Sequence, residues 1–301
     1  MHARFPISMA CLTAAAFFLA RCLPGDTRPP PATIHLTVEP SPAVTQGVTT
    51  ADGWHISFER LLIGIGGAKL GALGSGVGRI DDSVCTSYAN ANYQRLFDVT
   101  VGGRQPLSDI YGLGTCGVSF NLNAPFFRDT PLGEGVSAED LAFMRTVGLD
   151  AFGQKTYRSV YLRGQATRDA TTKRFEWSFR QFVPLAGCVN AADAGFASDV
   201  VLTSGAELPL AIVVRGEELF RLGLEGDSPL RFDALAAADT DGDQVITQEE
   251  LSGALDPSME ADAGVMSADG GAPSVEVLIY RRLVPRMLRL GDSGPCLGAR
   301  Q

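Results

Sequence analysis

The stretch SVYLRGQATRDATTKRFEWSFRQFV (Ser159–Val183) gives the clearest indication of the fold class. In its second half, Phe175, Trp177 and Phe179 alternate with polar residues, so three large apolar side chains fall on one face of an extended chain. The polar segment DATT (169–172) stands between the two runs and predicts the turn of a β-hairpin. Antiparallel β structure is therefore expected here.

Further strands are predicted on both sides of this hairpin. The segment TIHLTV (Thr33–Val38) and the first residues of WHISFERLLIGI (Trp54–Ile65) alternate between apolar and polar residues, as half-buried strands do. Three shorter runs also predict strands, namely LFDVTV (Leu96–Val101), VSFNL (Val118–Leu122) and LPLAIVV (Leu208–Val214).

The glycine-rich segment GIGGAKLGALGSGVG (64–78) begins inside the second of these strands. Its spacing fits neither nucleotide-binding motif. Lys69 stands where a dinucleotide-binding motif has its third glycine, and the residue directly before that lysine is not the glycine that a P-loop needs. We therefore expect a flexible loop.

Helices are predicted mainly after residue 216. One earlier helix is expected to run from the N-cap Ser137 to about Val147. The segment Val275–Leu290 is ambiguous between helix and strand; the helix is favoured, and it would carry a basic stripe of Arg281, Arg282, Arg286 and Arg289. This order predicts a mainly β (α+β) fold, with an antiparallel β-sandwich at 33–220 and a C-terminal helical region at 221–301 that includes an acidic loop at 256–274.

The N-terminus predicts export. Residues 1–21 have a short positive start and an apolar run without charge, as a signal peptide does. The end of that run, Leu19-Ala20-Arg21-Cys22, resembles a bacterial lipobox, and the resemblance implies a lipid anchor on Cys22. Arg21 departs from the pattern, which has a small residue there. The proline-rich segment 22–32 is expected to be a semi-rigid tether.

Cysteine content and charge agree with an exported protein. Four cysteines remain after Cys11 and Cys22, and their order favours Cys85–Cys116 and Cys188–Cys296 among the three possible pairings. Removal of residues 1–21 deletes Arg4 and Arg21, so the net charge of −9 becomes −11. This charge disfavours a nucleic-acid partner.

The twelve residues DTDGDQVITQEE (239–250) resemble the EF-hand loop. The pattern places oxygen donors at loop positions 1, 3, 5, 7, 9 and 12, and the resemblance implies that Ca²⁺ is bound by Asp239, Asp241, Asp243, the carbonyl of Val245, Thr247 and Glu250. One residue departs: position 6, which is glycine in the family because the backbone turns left-handed, is Gln244.

The flanks of the loop also have EF-hand features. Ser228 and Pro229 predict the start of the helix before the loop, and Thr247 with Glu250 predicts a capping box for the helix after it. No second EF-hand is visible, so the usual pairing of two loops is missing. We therefore expect a structural clamp rather than a calcium switch.

A fainter resemblance covers most of the chain. The order of an exported N-terminus, a WxIxFxR strand, a cysteine pair, one EF-hand and a late cysteine is similar to a group of uncharacterised β-sandwich lipoproteins of bacteria. Those proteins have histidines near the places of Arg215, Glu218 and Ser293, which implies that a metal site of theirs is degraded here. The segment GDSGPC (291–296) resembles a serine-protease motif, but Pro295 replaces its second glycine, and a turn leading to Cys296 is expected instead.

These patterns favour a non-enzymatic calcium-binding lipoprotein of the cell envelope, whose β domain has an unknown envelope partner. A periplasmic copper-type metal-handling protein is the first alternative, with His35 or His55 and methionines as ligands. A Ca²⁺-dependent hydrolase is the second, and it would require a cluster of carboxylates with perturbed pKa in a cleft.

Overall fold

The structure is a computed structural model that describes residues 29–71, 85–89, 93–150, 153–188, 199–221, 228–254, 274–294 and 296–298. The predicted signal peptide, Cys22, the first part of the tether (22–28) and the acidic loop up to residue 273 lie outside these residues. All the helices and strands described below belong to the unit Pro31–Gln301.

The predicted mainly β fold is confirmed, because fourteen strands form one hydrogen-bonded sheet and two more form a short ribbon. The strands are β1 Ala32–Pro40, β2 Val48–Thr49, β3 His55–Gly71, β4 Cys85–Ala89, β5 Gln94–Asp98, β6 Gln105–Leu122, β7 Gly148–Leu149, β8 Lys155–Thr156, β9 Val160–Arg168, β10 Thr171–Phe179, β11 Val183–Ala186, β12 Asp199–Leu202, β13 Glu207–Val214, β14 Val245–Ile246, β15 Leu288–Leu290 and β16 Leu297–Gly298.

The main path of the sheet runs in the order β14-β10-β9-β3-β6-β1-β13-β15. Two of its pairs, β1 with β13 and β10 with β14, are parallel, so the sheet is mixed rather than wholly antiparallel. The other pairs on the path are antiparallel, as the sequence predicts.

The long strand β3 changes its neighbour near its middle. Residues His55–Ile63 pair with β9, whereas Ile65–Gly71 pair with β6. Gly64 lies at the change: its N–H donates to Ser159 and its carbonyl accepts from Asn123, both at 2.9 Å. A Cβ at this position would overlap the carbonyl of Asn123, so only glycine allows the two backbones to approach.

The predicted glycine loop is therefore wrong over its first part. Residues Gly64–Gly71 continue β3, because the absent side chains permit close pairing rather than a flexible excursion. Residues 72–78 of the same segment lie outside the described residues.

The second long strand, β6, also exchanges partners. On one side it pairs first with β4 and then with β3, and on the other it pairs with β1, β12 and β11 in turn. Strands that pass from one set of neighbours to another let a single sheet cover a core from two sides, as in a sandwich-like fold.

The hairpin of β9 and β10 is confirmed, with a shorter turn than expected. Thr171 and Thr172 pair with Arg168 and Thr167, which leaves Asp169 and Ala170 as the turn. Asp169 has φ +54°, a left-handed conformation that aspartate adopts more readily than most residues.

The helical elements are short. They are α1 Pro42–Gln46, α2 Ala138–Met144, α3 Asp233–Ala236, α4 Gln248–Gly253, α5 Val275–Leu278 and α6 Val284–Arg286, with 3₁₀ turns at Val99–Val101 and Gly216–Phe220 and a π turn at Ile279–Leu283. The predicted N-cap Ser137 is confirmed, and its capping box with Asp140 is complete.

The segment Val275–Leu290 is helical only to Arg286. Pro285 is tolerated because it lies in the first turn of α6, and Leu288–Leu290 then extend along the edge of β13 as β15. The predicted basic stripe is therefore wrong for Arg289, which lies in a strand and bonds the carboxylate of Glu218.

An aromatic cluster fills the core between the hairpin and the C-terminal region. Phe175 contacts Trp177 at 4.9 Å, Phe220 at 5.7 Å and Phe232 at 6.2 Å between ring centroids. Trp54 contacts Phe232 at 5.3 Å, so the cluster also reaches the start of β3. These rings are almost fully buried and join distant parts of the chain.

Both predicted disulfides are present, Cys85–Cys116 and Cys188–Cys296. They indicate an oxidising, exported compartment. Among the described residues, no helix is long and apolar enough to cross a membrane.

The two disulfides are expected to differ in their contribution to stability. They join cysteines 31 and 108 residues apart, so the loss of chain entropy in the unfolded state predicts about 3.7 kcal/mol for Cys85–Cys116 and about 4.8 kcal/mol for Cys188–Cys296. Replacing each pair by alanines and measuring urea unfolding tests this order. A larger loss from the Cys85–Cys116 variant would contradict it.

Candidate metal centre

The predicted EF-hand loop lies between α3 and α4. The helix before it begins at Asp233 and not at Ser228–Pro229 as predicted, because its N-terminus is capped from a distant part of the chain. The carboxylate of Asp52 accepts the N–H groups of Phe232 at 2.7 Å and Asp233 at 2.8 Å. The loop is thereby fixed relative to the turn before β3.

The three aspartates of the loop lie together. One carboxylate oxygen from each of Asp239, Asp241 and Asp243 lies within 4.8 Å of the others. Each carboxylate also accepts a backbone N–H from within the loop: Gly242 to Asp239 at 2.9 Å, Asp243 to Asp241 at 3.0 Å, and Val245 to Asp243 at 2.7 Å. The turn is therefore ordered around its acidic side chains.

Gln244 adopts the backbone conformation that the loop requires at position 6. Its φ is +68°, in the left-handed region where the family has glycine. The departure is thus in the residue type and not in the shape of the loop, and it carries a cost of roughly 1–2 kcal/mol in backbone strain.

The loop is docked on the main sheet. Val245 and Ile246 form β14, which pairs in parallel with Arg174 and Phe175 of β10. Ile246 is fully buried, and its carbonyl accepts the indole N–H of Trp177 at 2.9 Å. The loop is therefore held by a strand of the main sheet.

Thr247 and Glu250 close the end of the loop. They form the predicted capping box of α4, in which Glu250 Oε2 accepts the Thr247 N–H at 2.8 Å. The other oxygen, Oε1, accepts the N–H of Thr240 at 3.0 Å, so Glu250 spans positions 2 and 9 of the loop. Hydrogen bonds from the N–H and hydroxyl of Thr247 and from the N–H of Thr240 hold the pKa of Glu250 below its usual value.

Lys173 is a residue of this centre that the sequence pattern did not indicate. It precedes Arg174 on β10, and its ammonium contacts the carboxylate of Asp239, whose side chain is fully shielded from water. This contact is the main reason that the pKa of Asp239 is lowered. Because the residue lies 66 positions from Asp239, only the register of β10 with β14 could have identified it.

The donor set fits a hard divalent cation. Asp239, Asp241 and Asp243 already converge, and Val245, Thr247 and Glu250 add only oxygen donors along the same loop. Glu250 is not part of the converged group, because both of its oxygens bond to Thr240 and Thr247.

Among the described residues, the histidines and methionines of the copper-type alternative lie apart, each with other neighbours. His35 pairs with Asp109 at 2.8 Å, whereas His55 contacts Thr49 at 3.4 Å. Met144 and Met287 are buried in the core. In the part of the chain that the structure describes, the aspartate group is the one cluster of three or more His, Cys, Asp or Glu ligands.

The hydrolase alternative gains no support from the carboxylates. Burial raises the pKa of Asp199 and of Glu276, but these residues lie on different elements, β12 and α5. Glu276 is instead hydrogen-bonded to Gln248 at 2.7 Å.

The places where the fainter resemblance implied histidines do lie together. Arg215 Nε is 3.8 Å from Glu218, and Arg289 bridges Glu218 at 3.1 Å and the carbonyl of Ser293 at 3.4 Å. They form a network of charged groups and not a set of metal ligands. Comparison of the chain with family models, curated proteins and solved structures finds no match.

Replacing Gln244 by glycine should stabilise the protein by about 0.5–1 kcal/mol, because the strain at φ +68° is larger than the entropy that glycine adds to the unfolded chain. Urea unfolding in chelator measures the change. The control, Gln165→Gly in β9, should destabilise by about 0.5–1 kcal/mol. Equal destabilisation by both variants would show that Gln244 is not strained.

Proposed function

We propose that residues 239–250 bind Ca²⁺ and clamp the C-terminal region onto the β-sheet of an exported, non-enzymatic protein. The observation that supports this most directly is the pairing of β14 with β10. A cation bound in the loop would stabilise the segment that carries β14, and through it the buried side chain of Ile246.

Electrostatics supports a cation at this place. Three aspartates converge and Glu250 stands beside them, so the loop has an excess of negative charge that a divalent ion would neutralise. Lys173 supplies one positive charge to Asp239. We infer that this ammonium keeps the loop folded without metal and must withdraw from Asp239 when Ca²⁺ binds.

The surroundings favour a clamp over a switch. Switching EF-hands expose an apolar groove when their helices move apart. Here α3 has four residues and α4 has six, and their apolar residues Leu235 and Leu251 are fully buried in the main core. Moving these helices apart would disrupt the main core, which also contains the aromatic cluster.

Export and anchoring complete the proposal. The disulfides fit an oxidising compartment, and such compartments hold Ca²⁺ at levels that suit weak sites of about 10⁻⁴–10⁻³ M. Cys22 would carry the lipid that attaches the tether to the cell envelope, where the unknown partner of the β domain would be found. Mass spectrometry of the native N-terminus tests the anchor, and an unmodified Cys22 would refute it.

Removing calcium should destabilise the protein moderately. With about 1 mM Ca²⁺ and a dissociation constant of about 0.1 mM, binding adds roughly 1.4 kcal/mol. Chelator should therefore lower the melting temperature by a few degrees and increase hydrogen exchange at 233–254, while β3 and β6 stay protected. Glu250→Gln should abolish the difference, whereas Glu249→Gln, an exposed neighbour on the same helix, should keep it.

Two results would contradict this proposal. If wild type and both variants melt alike with and without Ca²⁺, the loop does not bind the ion. If Ca²⁺ binds at micromolar levels and exposes a surface that takes up an apolar dye, the loop is a sensor and not a clamp.

Replacing Lys173 by methionine should change the two states in opposite directions. Without metal, Asp239 loses its counter-ion and the melting temperature should fall; with metal, the competing charge is gone and Ca²⁺ affinity should rise by roughly tenfold. Melting with and without Ca²⁺, together with calorimetric titration, measures both effects. Lys155→Met, an exposed lysine on β8, is the control, and an unchanged response of Lys173→Met would exclude competition by the ammonium.

A further inference from the structure

A second cluster of charges is buried around the 3₁₀ turn Gly216–Phe220, which follows β13. The side chains of Glu217 and Glu218 are only 6% and 1% exposed. Buried carboxylates require charged or hydrogen-bonding partners, because leaving them unpaired costs several kcal/mol. The partners here come from three parts of the chain: Ser41, the two arginines that flank the turn, and Arg289 on β15.

The contacts of the two carboxylates are unequal. Glu217 accepts from Ser41 Oγ at 2.7 Å and from Arg215 Nε at 2.8 Å, so each of its oxygens has a donor. Glu218 is shared by three guanidinium groups: Arg221 at 2.8 Å, Arg289 at 3.1 Å and Arg215 at 3.8 Å. The carboxylate of Glu218 is thus the shared anionic partner of three guanidinium groups.

The network therefore has more positive than negative charge: three arginines face two glutamates. Arg289 shows the imbalance most clearly. Burial lowers its pKa, the carboxylates of Glu218 and, to a smaller extent, Glu217 oppose that effect, and the neighbouring Arg215 and Arg221 lower the pKa further. Its Nε is also buried without a hydrogen-bond partner. An additional negative charge nearby would satisfy the excess.

A cavity of about 230 Å³ lies beside Arg215 and Arg289, and an anion could be bound in it. Its polar lining includes Ser41, Arg215, Glu217, Arg289, Asp292 and Ser293. This volume is below the usual range of about 300–1,000 Å³ for sites of drug-sized ligands, so it suits a ligand of few atoms. We call this cavity the arginine pocket.

We propose that the arginine pocket binds a small anion with carboxylate or phosphate chemistry. Arg215 makes its contacts with other described residues through Nε, so its two terminal nitrogens remain for a ligand, and its side chain is 34% exposed. A guanidinium presents two parallel donors that match the paired oxygens of a carboxylate or phosphate. Arg289 adds a second positive charge from the cavity wall.

Asp292 limits the affinity. It lines the same cavity but is exposed, so water screens its repulsion of an anion. Its presence gives a direct test, because removing its charge should strengthen anion binding, whereas it should weaken the binding of a cation. The proposal is independent of calcium, since the pocket and the loop share no residue.

The test is titration of the folded, disulfide-bonded protein with sodium phosphate and, separately, sodium succinate, in chelator and against sodium chloride of equal ionic strength. At least one of the two anions should bind with saturation and raise the melting temperature. Arg215→Gln should weaken binding at least tenfold, and Asp292→Asn should strengthen it about threefold.

Arg163→Gln is the matched control. Arg163 also pairs with a glutamate, Glu59 at 3.0 Å, and also lines a cavity, of about 390 Å³. Because it does not line the arginine pocket, its loss should leave anion binding unchanged. Saturation by phosphate alone identifies phosphate chemistry, and saturation by succinate alone identifies carboxylate chemistry.

Three results would overturn the proposal. Binding no stronger than that of chloride would show that the pocket has no anion site. Equal weakening by Arg163→Gln would show nonspecific attraction to surface arginines. Weaker binding by Asp292→Asn, which does not depend on whether Arg215→Gln folds, would show that the pocket does not select for negative charge.

Discussion

The close approach of backbones at Gly64 is the constraint on which the rest of the sheet depends. At this point β3 leaves β9 and joins β6, and both neighbours bond to the same glycine within 2.9 Å. A side chain there would force the two halves of the sheet apart. Because β9 pairs with β10, and β10 pairs with β14 of the loop 239–250, the position of the candidate metal centre also follows from this contact.

The C-terminal region is attached to the sheet at several independent places. Cys296 is bonded to Cys188, the aromatic rings of Phe220 and Phe232 pack on Phe175, and β14 and β15 pair with β10 and β13. A calcium ion in the loop would strengthen one of these attachments. This is why its proposed contribution is moderate and local, and why the arginine network, which also joins β15 to the turn after β13, can act separately.

Local patterns predicted the elements that depend on neighbouring residues. The alternation around Trp177, the N-cap Ser137, the capping box at Thr247, and both disulfides are confirmed. The pattern failed where distant residues decide the structure. The helix before the loop starts later than predicted because Asp52 caps it. Lys173 contacts Asp239 because β10 and β14 pair in parallel, and local sequence does not predict that pairing. The arginine network likewise depends on a strand, β15, that resembles the end of a helix in sequence.

The order of the sheet places β14 at one end of its main path and β15 at the other. Both are short, with two and three residues, and both come from the last third of the chain. An unprotected strand edge offers free N–H and C=O groups that recruit other chains into aggregates. The two short strands cover β10 and β13, which have nine and eight residues, and each is too short to template further pairing. During synthesis, β10 and β13 therefore both emerge before the short strands that pair with them, and each edge stays open until its later segment has been made.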